Sequence, residues 1–228
     1  MSTKNILACF LVLLSCLLLA MAARVLPARL LGIAGDLRSD AVLADKNLSD
    51  EDYTAFVKAR EAAVRWYPFA DYLNELATAY SARAGHESDR DQSDTLLTQS
   101  RNSQIRALGL EPADSYGWSQ MAYLEMQDDS QKTHAVDDLR MSIESAPYEP
   151  TLMPSRLEMV VLLQDSLGAD EREQIPVVAR EAFEVDPHAV AASAQSYNYI
   201  SVVESALARD EKALQQFHAL LAQNSGNP

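Results

Sequence analysis

Four prolines constrain this chain more than any other feature. Pro68, Pro112, Pro147 and Pro187 each end a phrase with a small residue five places before the proline and a bulky apolar one four before it. The pairs are Ala63-Val64, Ala107-Leu108, Ser142-Ile143 and Ala182-Phe183, and the prolines lie 44, 35 and 40 residues apart. Proline cannot continue a helix interior, so each phrase reads as the end of a helix. A helix-closing phrase returning at intervals near 34 residues predicts stacked helix pairs. With 7 Gly and 9 Pro in 228 residues, and 48% of them hydrophobic and rich in Ala and Leu, the chain is a helix former throughout. The expected fold class is all-α.

Charge narrows the partners. Lys and Arg number 19 against 33 Asp and Glu, a net charge of −14. A surface this acidic repels phosphate backbones, so no nucleic-acid partner is expected. Cys9 and Cys16 both lie in the N-terminal apolar segment. The remainder therefore has no thiol for a disulfide, a zinc site or a nucleophile.

Ile6 to Ala23 is a run of 18 uncharged residues preceded by Lys4. That length is at the threshold for crossing a bilayer and long for the core of a cleaved signal. Ala20-Met21-Ala22 offers a signal-peptidase site, and Leu13-Leu14-Ser15-Cys16 resembles a lipoprotein cleavage box, although apolar residues follow it. The favoured reading is an uncleaved signal anchor. The expected organisation is an anchor over residues 1–23, a juxtamembrane spacer over 24–48 and a helical-repeat domain over 49–223. In the spacer, Val25-Leu26, Leu30-Leu31 and Ile33 suit either the membrane interface or a disordered linker. Lys4 and the terminal amine oppose Arg24 and Arg29, so the positive-inside rule barely discriminates. The short basic tail is the ordinary layout of an exported signal, which places the body outside the cytoplasm.

Ser49 is the expected cap of the first body helix, with Asp50, Glu51 and Asp52 facing the positive end of its dipole. Phe56, Ala59, Ala63 and Trp66 or Tyr67 then mark a buried stripe. Pro68 is expected to stop this helix and to enter the first turn of the next. That next helix carries Leu73-x-x-Leu76-Ala77-x-x-Tyr80. Trp118-x-x-Met121-Ala122 opens a second unit, which Ala135, Leu139, Ser142 and Pro147 close. Tyr197-x-x-Ile200-Ser201, followed by Ala213, Phe217 and Leu220, repeats the arrangement without the proline. On these residues the chain resembles the tetratricopeptide-repeat family over about 49–223. The resemblance implies antiparallel helix pairs wound into a superhelix. The excess length between Tyr80 and Pro112 is expected in a polar linker at residues 85–94. Pro150, Pro154 and Pro176 are expected to trim the helices between Pro147 and Pro187.

The layout as a whole, with Ile105-Arg106-Ala107-Leu108-Gly109-Leu110-Glu111-Pro112 and Ser145-Ala146-Pro147-Tyr148-Glu149-Pro150, is similar to accessory proteins of bacterial exopolysaccharide clusters (the VpsP type). That similarity implies a single-pass inner-membrane protein with a periplasmic C-terminal domain and polysaccharide-assembly proteins as partners.

Reactive constellations are weak. His86, His134, His188 and His218 are scattered without metal-ligand spacing. Asp89-x-Asp91-x-Ser93 imitates a calcium loop, but Asp94 occupies the place of its glycine. Asp128-Asp129 and Asp137-Asp138 diverge by about 100° within each pair and read as solvated faces. No G-x-S-x-G, P-loop or G-x-G-x-x-G occurs. The expectation is a non-catalytic interaction protein without cofactor or metal, with protein partners and Tyr72, Tyr116 and Tyr123 as candidate groove residues. A general envelope scaffold or chaperone adaptor that binds an extended peptide is the alternative, and a cryptic glycan hydrolase is the third reading.

Overall fold

A computed structural model describes residues 3–43 and 49–225. Among them are eleven α-helices, two short 3-10 turns and no strand. The chain divides into two compact units, Met1–Pro112 and Ala113–Pro228. The first holds α1 (Thr3–Leu43), α2 (Asp50–Trp66), α3 (Ala70–His86) and α4 (Arg90–Leu110). The second holds α5 (Ser115–Met126), α6 (Lys132–Ser145), α7 (Met153–Leu162), α8 (Ala169–Val185), α9 (Pro187–Ser196), α10 (Ile200–Leu207) and α11 (Glu211–Ser225).

Each phrase-ending proline lies two residues beyond a helix: α2, α4, α6 and α8. The residue between helix and proline donates its N–H to the small residue of the phrase. Tyr67 bonds the Ala63 carbonyl at 3.0 Å, Glu111 that of Ala107 at 2.9 Å, Ala146 that of Ser142 at 3.4 Å and Asp186 that of Ala182 at 3.0 Å. Those four small residues are at most 1% exposed. They are small because a neighbouring helix crosses there, leaving no room for a longer side chain.

In the first unit α3 and α4 form an antiparallel pair with polar contacts at successive levels. Ser93 Oγ donates to the Ala84 carbonyl at 3.0 Å, Ser100 Oγ to that of Ala77 at 2.6 Å, and Gln104 Nε2 to Asn74 Oδ1 at 2.9 Å. Leu73, Leu76, Ala77 and Tyr80 are buried, as their spacing required. Ser49 accepts the Asp52 amide at 3.1 Å and caps α2.

The principal partner of α2 is α1, the helix that begins in the apolar N-terminus. Ala28, Gly32 and Gly35 form its buried face. A Cβ on Gly32 would lie 2.3 Å from the Tyr72 hydroxyl oxygen, and one on Gly35 would lie 2.8 Å from Arg60 Nη1. These glycines are required by close approach. Arg60 of α2 fills the space at 1% exposure. Its Nη1 donates to the Gly32 carbonyl at 2.7 Å and to Asp36 at 2.8 Å, and its Nε to Glu75 of α3. The guanidinium carbon stacks 4.4 Å from the Tyr72 ring centre. On the flanks Arg29 lies over Phe69 at 3.7 Å, and Arg38 Nε donates to Asp52 at 3.0 Å. Residues 24–43, read above as spacer, are thus helical and packed, while 44–48 lie outside the described residues.

In the second unit α5 pairs with α6 and α7 with α8, while α9 and α10 continue the packing on α8 and α11 packs on α9 and α10. One apolar core runs through it from Ala122 to Leu220. Phe183 and Phe217 meet edge to face at 5.8 Å, worth about 0.5–1.5 kcal/mol beyond burial. Arg156 of α7, 3% exposed, serves the carbonyls at the end of α6. It donates to the Ser142 carbonyl at 2.5 Å and to that of Ala146 at 2.9 Å, where a cation suits the negative end of the helix dipole.

Several local expectations are corrected. Pro68 precedes α3 and does not enter its first turn, since Phe69 is the cap. The polar stretch at 85–94 is mostly helix: Asp89 caps the amides of Asp91 and Gln92, and the extra residues lengthen α4 to 21. Pro176 lies inside α8, and Pro154 sits in the first turn of α7. Tyr197 opens no helix. Asn198 adopts φ 58°, and the Tyr199 amide bonds the Ala194 carbonyl at 2.9 Å, a left-handed C-terminal cap that ends α9.

Candidate functional site

The three candidate tyrosines fall into different surroundings. Tyr72, on α3 in the first unit, is 4% exposed and packed against Arg60, Phe69 and Gly32. Its surface is already covered by its own unit. Tyr116 and Tyr123, on α5 in the second unit, are 49% and 43% exposed. Seven residues apart, they stand on one side of α5, whose remaining faces are largely buried.

A neighbouring element holds the Tyr116 hydroxyl. The Tyr116 hydroxyl donates to Glu149 Oε1 at 3.0 Å, and Thr151 donates to the same oxygen at 2.7 Å. The Thr151 and Tyr116 hydroxyls also touch. These bonds, Thr151 first and Tyr116 second, hold the Glu149 carboxyl below its usual range. Tyr197, at the end of α9, lies near enough to both Tyr123 and Glu158 of α7 to feel their charge. Ser193 Oγ donates to Glu158 Oε2 at 2.5 Å, and Glu158 also hydrogen-bonds the Tyr197 hydroxyl. The Glu158 charge, then partial burial, then Tyr123 raise the Tyr197 phenol above its usual value. Tyr197 is 47% exposed, and the exposed Leu162 lies one helical turn beyond Glu158 on α7.

The result is a face on which α5, α7 and α9 present three half-exposed tyrosines, an anchored carboxylate and an apolar side chain. Each tyrosine offers a flat apolar ring and a hydrogen-bonding tip with only two rotatable bonds to restrict. Rings of this kind have the chemistry to stack on the apolar side of a sugar ring or on the side chains of an extended peptide. The first half of this face was legible in the i, i+7 pair. Tyr197 was missed because it was assigned to the start of a helix. The signal that finds it is Asn198, since asparagine tolerates the left-handed backbone that ends α9.

A second group also escaped the sequence. Asp137 is exposed and bound to Arg140 at 2.5 Å, whereas Asp138 is half-buried. It turns into the α5–α6 pair and shares a hydrogen bond with Glu125, itself 7% exposed. Burial first, then the Glu125 charge, pushes the Asp138 carboxyl up to about 7. Two carboxyls this close cannot both ionise cheaply, so Asp138 holds its proton more tightly than an isolated aspartate does. Among the described residues no cluster of three or more His, Cys, Asp or Glu is arranged to hold a metal ion.

Compared with protein-family models, with curated proteins and with solved structures, the chain matches none. Its class therefore rests on its own geometry: an all-helical protein with one N-terminal helix long and apolar enough to cross a membrane.

Proposed function

We propose that this chain is a non-catalytic, membrane-tethered interaction protein of TPR-like helix pairs. It works as an accessory factor in bacterial envelope or exopolysaccharide assembly, with its body on the periplasmic side of the inner membrane. The observation that carries the reading is the tyrosine face of the second unit, where Tyr116, Tyr123 and Tyr197 are each about half exposed. The candidate span, Phe10–Ser39, supports tethering. The resemblance of the helix-closing phrases to tetratricopeptide repeats supports a protein partner, and the layout similar to exopolysaccharide accessory proteins supports the assignment to that machinery.

Two experiments test it. Alkaline phosphatase fused after Pro228 should be active, and the product should sediment with membranes at unprocessed mass. An inactive fusion reverses the topology, and a soluble product shortened at Ala22 removes the tether. Crosslinked membranes should yield polysaccharide polymerase, export or glycosyltransferase components with the native chain, and at least tenfold less with Tyr123→Ala combined with Tyr197→Ala. Recovery of cytoplasmic proteins alone, or recovery indifferent to those tyrosines, contradicts the proposal.

A further inference from the structure

The charge of this chain is unevenly shared. The second unit holds 19 of the 33 Asp and Glu residues but 7 of the 19 Lys and Arg, and so carries −12 of the net −14. The helices of the tyrosine face take this further. α5 and α9 contain no Lys or Arg, and α7 contains only Arg156. Arg156 is 3% exposed and donates to the carbonyls that end α6. Its charge is the smallest of the influences that hold Glu149 ionised. These helices therefore offer a ligand half-exposed rings and carboxylates, and no exposed cation.

The hydroxyls narrow the ligand further. Tyr116 and Tyr197 give their phenol protons to Glu149 and Glu158. What remains for a ligand is the ring face and the negative charge beside it. A sugar is recognised through donors as well as acceptors, whereas a cation needs only an electron-rich ring and a carboxylate. The field of this unit repels an acidic polymer and gives a neutral one nothing. A lysine or arginine gains from both the rings and the field.

Spacing sets the length of the ligand. Tyr116 and Tyr123 are seven residues apart on α5, about 10.5 Å along its axis. Glu149 belongs to the Tyr116 end, and Glu158 and Tyr197 to the Tyr123 end. In an extended polyproline-type segment, side chains three residues apart point the same way and stand about 9 Å apart. Two basic side chains at that interval reach both ends together.

We propose that the tyrosine face takes an extended basic segment of a partner protein, with two Lys or Arg side chains three residues apart. One sits at Tyr116 with Glu149, the other at Tyr123 and Tyr197 with Glu158. This inference deepens the interaction role and rests on the tyrosine face being the recognition surface.

The test is calorimetric titration of the detergent-solubilised full chain at about 20 mM salt, where screening is weak. The blocked hexapeptide Ala-Arg-Pro-Pro-Arg-Ala should bind at least tenfold more tightly than the same peptide with glutamine at both arginine positions. Glu149→Gln with Glu158→Gln should weaken the arginine peptide at least tenfold. Glu181→Gln with Glu184→Gln, an equal change of charge at exposed positions of α8, should leave its affinity unchanged. Tyr123→Ala with Tyr197→Ala should also cost at least tenfold, and should those variants fail to fold, the two glutamine pairs decide. Equal losses from the two glutamine pairs overturn the proposal, because binding would then follow net charge alone. So does cellohexaose, a neutral glycan, binding through the tyrosines in place of the arginine peptide. If the arginine peptide fails while membrane crosslinking still depends on Tyr123 and Tyr197, the basic segment falls and the interaction role stands. Crosslinking indifferent to those tyrosines removes both.

Discussion

Arg60 shows how one residue changes what a segment does. An arginine buried to 1% would be a liability alone, yet here it joins three helices through Gly32, Asp36 and Glu75. Removing one member of such a group strands the others away from water. Arg60→Ala should destabilise the solubilised full-length chain by about 3–5 kcal/mol in denaturant unfolding. A loss under about 1 kcal/mol would mean that the guanidinium is solvated. Nothing in the local sequence marked Arg60, because in a run of charged and small residues it looks like any exposed arginine. Its signal lies elsewhere, in the Gly32-x-x-Gly35 spacing that leaves room for it. The Glu125–Asp138 pair makes a second residue-scale prediction. A carboxyl raised to about 7 in the fold, from an unfolded value near 3.8, binds its proton more tightly in the folded state. Its stabilising contribution is complete below pH 4 and is lost as pH rises through 7. Asp138→Asn should therefore stabilise the protein at pH 8, by about 1–2 kcal/mol after allowance for solvent screening, and change little at pH 4. Melting curves at the two pH values check this, and equal shifts at both would contradict it.

At the scale of elements, the closing helices were legible and their partners less so. The proline phrase placed the ends of α2, α4, α6 and α8 because it combines a backbone veto with a packing requirement. Ala182 illustrates the second part. It is fully buried where α8 meets its neighbours, with Phe183 beside it in the core. Ala182→Phe should overpack that crossing and lower stability by about 1–3 kcal/mol. An unchanged melting temperature would mean that the crossing yields easily. Boundaries set by polar residues were harder to read. Residues 85–94 look like a linker in composition, but one aspartate cap and a run of helix-tolerant polar residues suffice to begin α4. The tyrosine face was half visible, since Tyr116 and Tyr123 share one helix while Tyr197 joins them only through tertiary packing.

At the scale of the whole molecule, the division into anchor, spacer and body gives way to a different economy of parts. Composition identified the apolar run, but the glycines that follow it resemble a flexible connection when read one residue at a time. In the structure α1 continues through them and becomes the first member of the first helix pair. A single helix then carries both the candidate span and the surface on which α2 and α3 pack. The most direct test is amide hydrogen exchange of the full chain in bilayers, read over residues 28–43 and over α2. Our account predicts that the two segments are protected to within about tenfold of each other, and that Arg60→Ala releases both together, which shielding by lipid would not produce. Exchange of residues 28–43 at unstructured-chain rates, with α2 still protected, would contradict it.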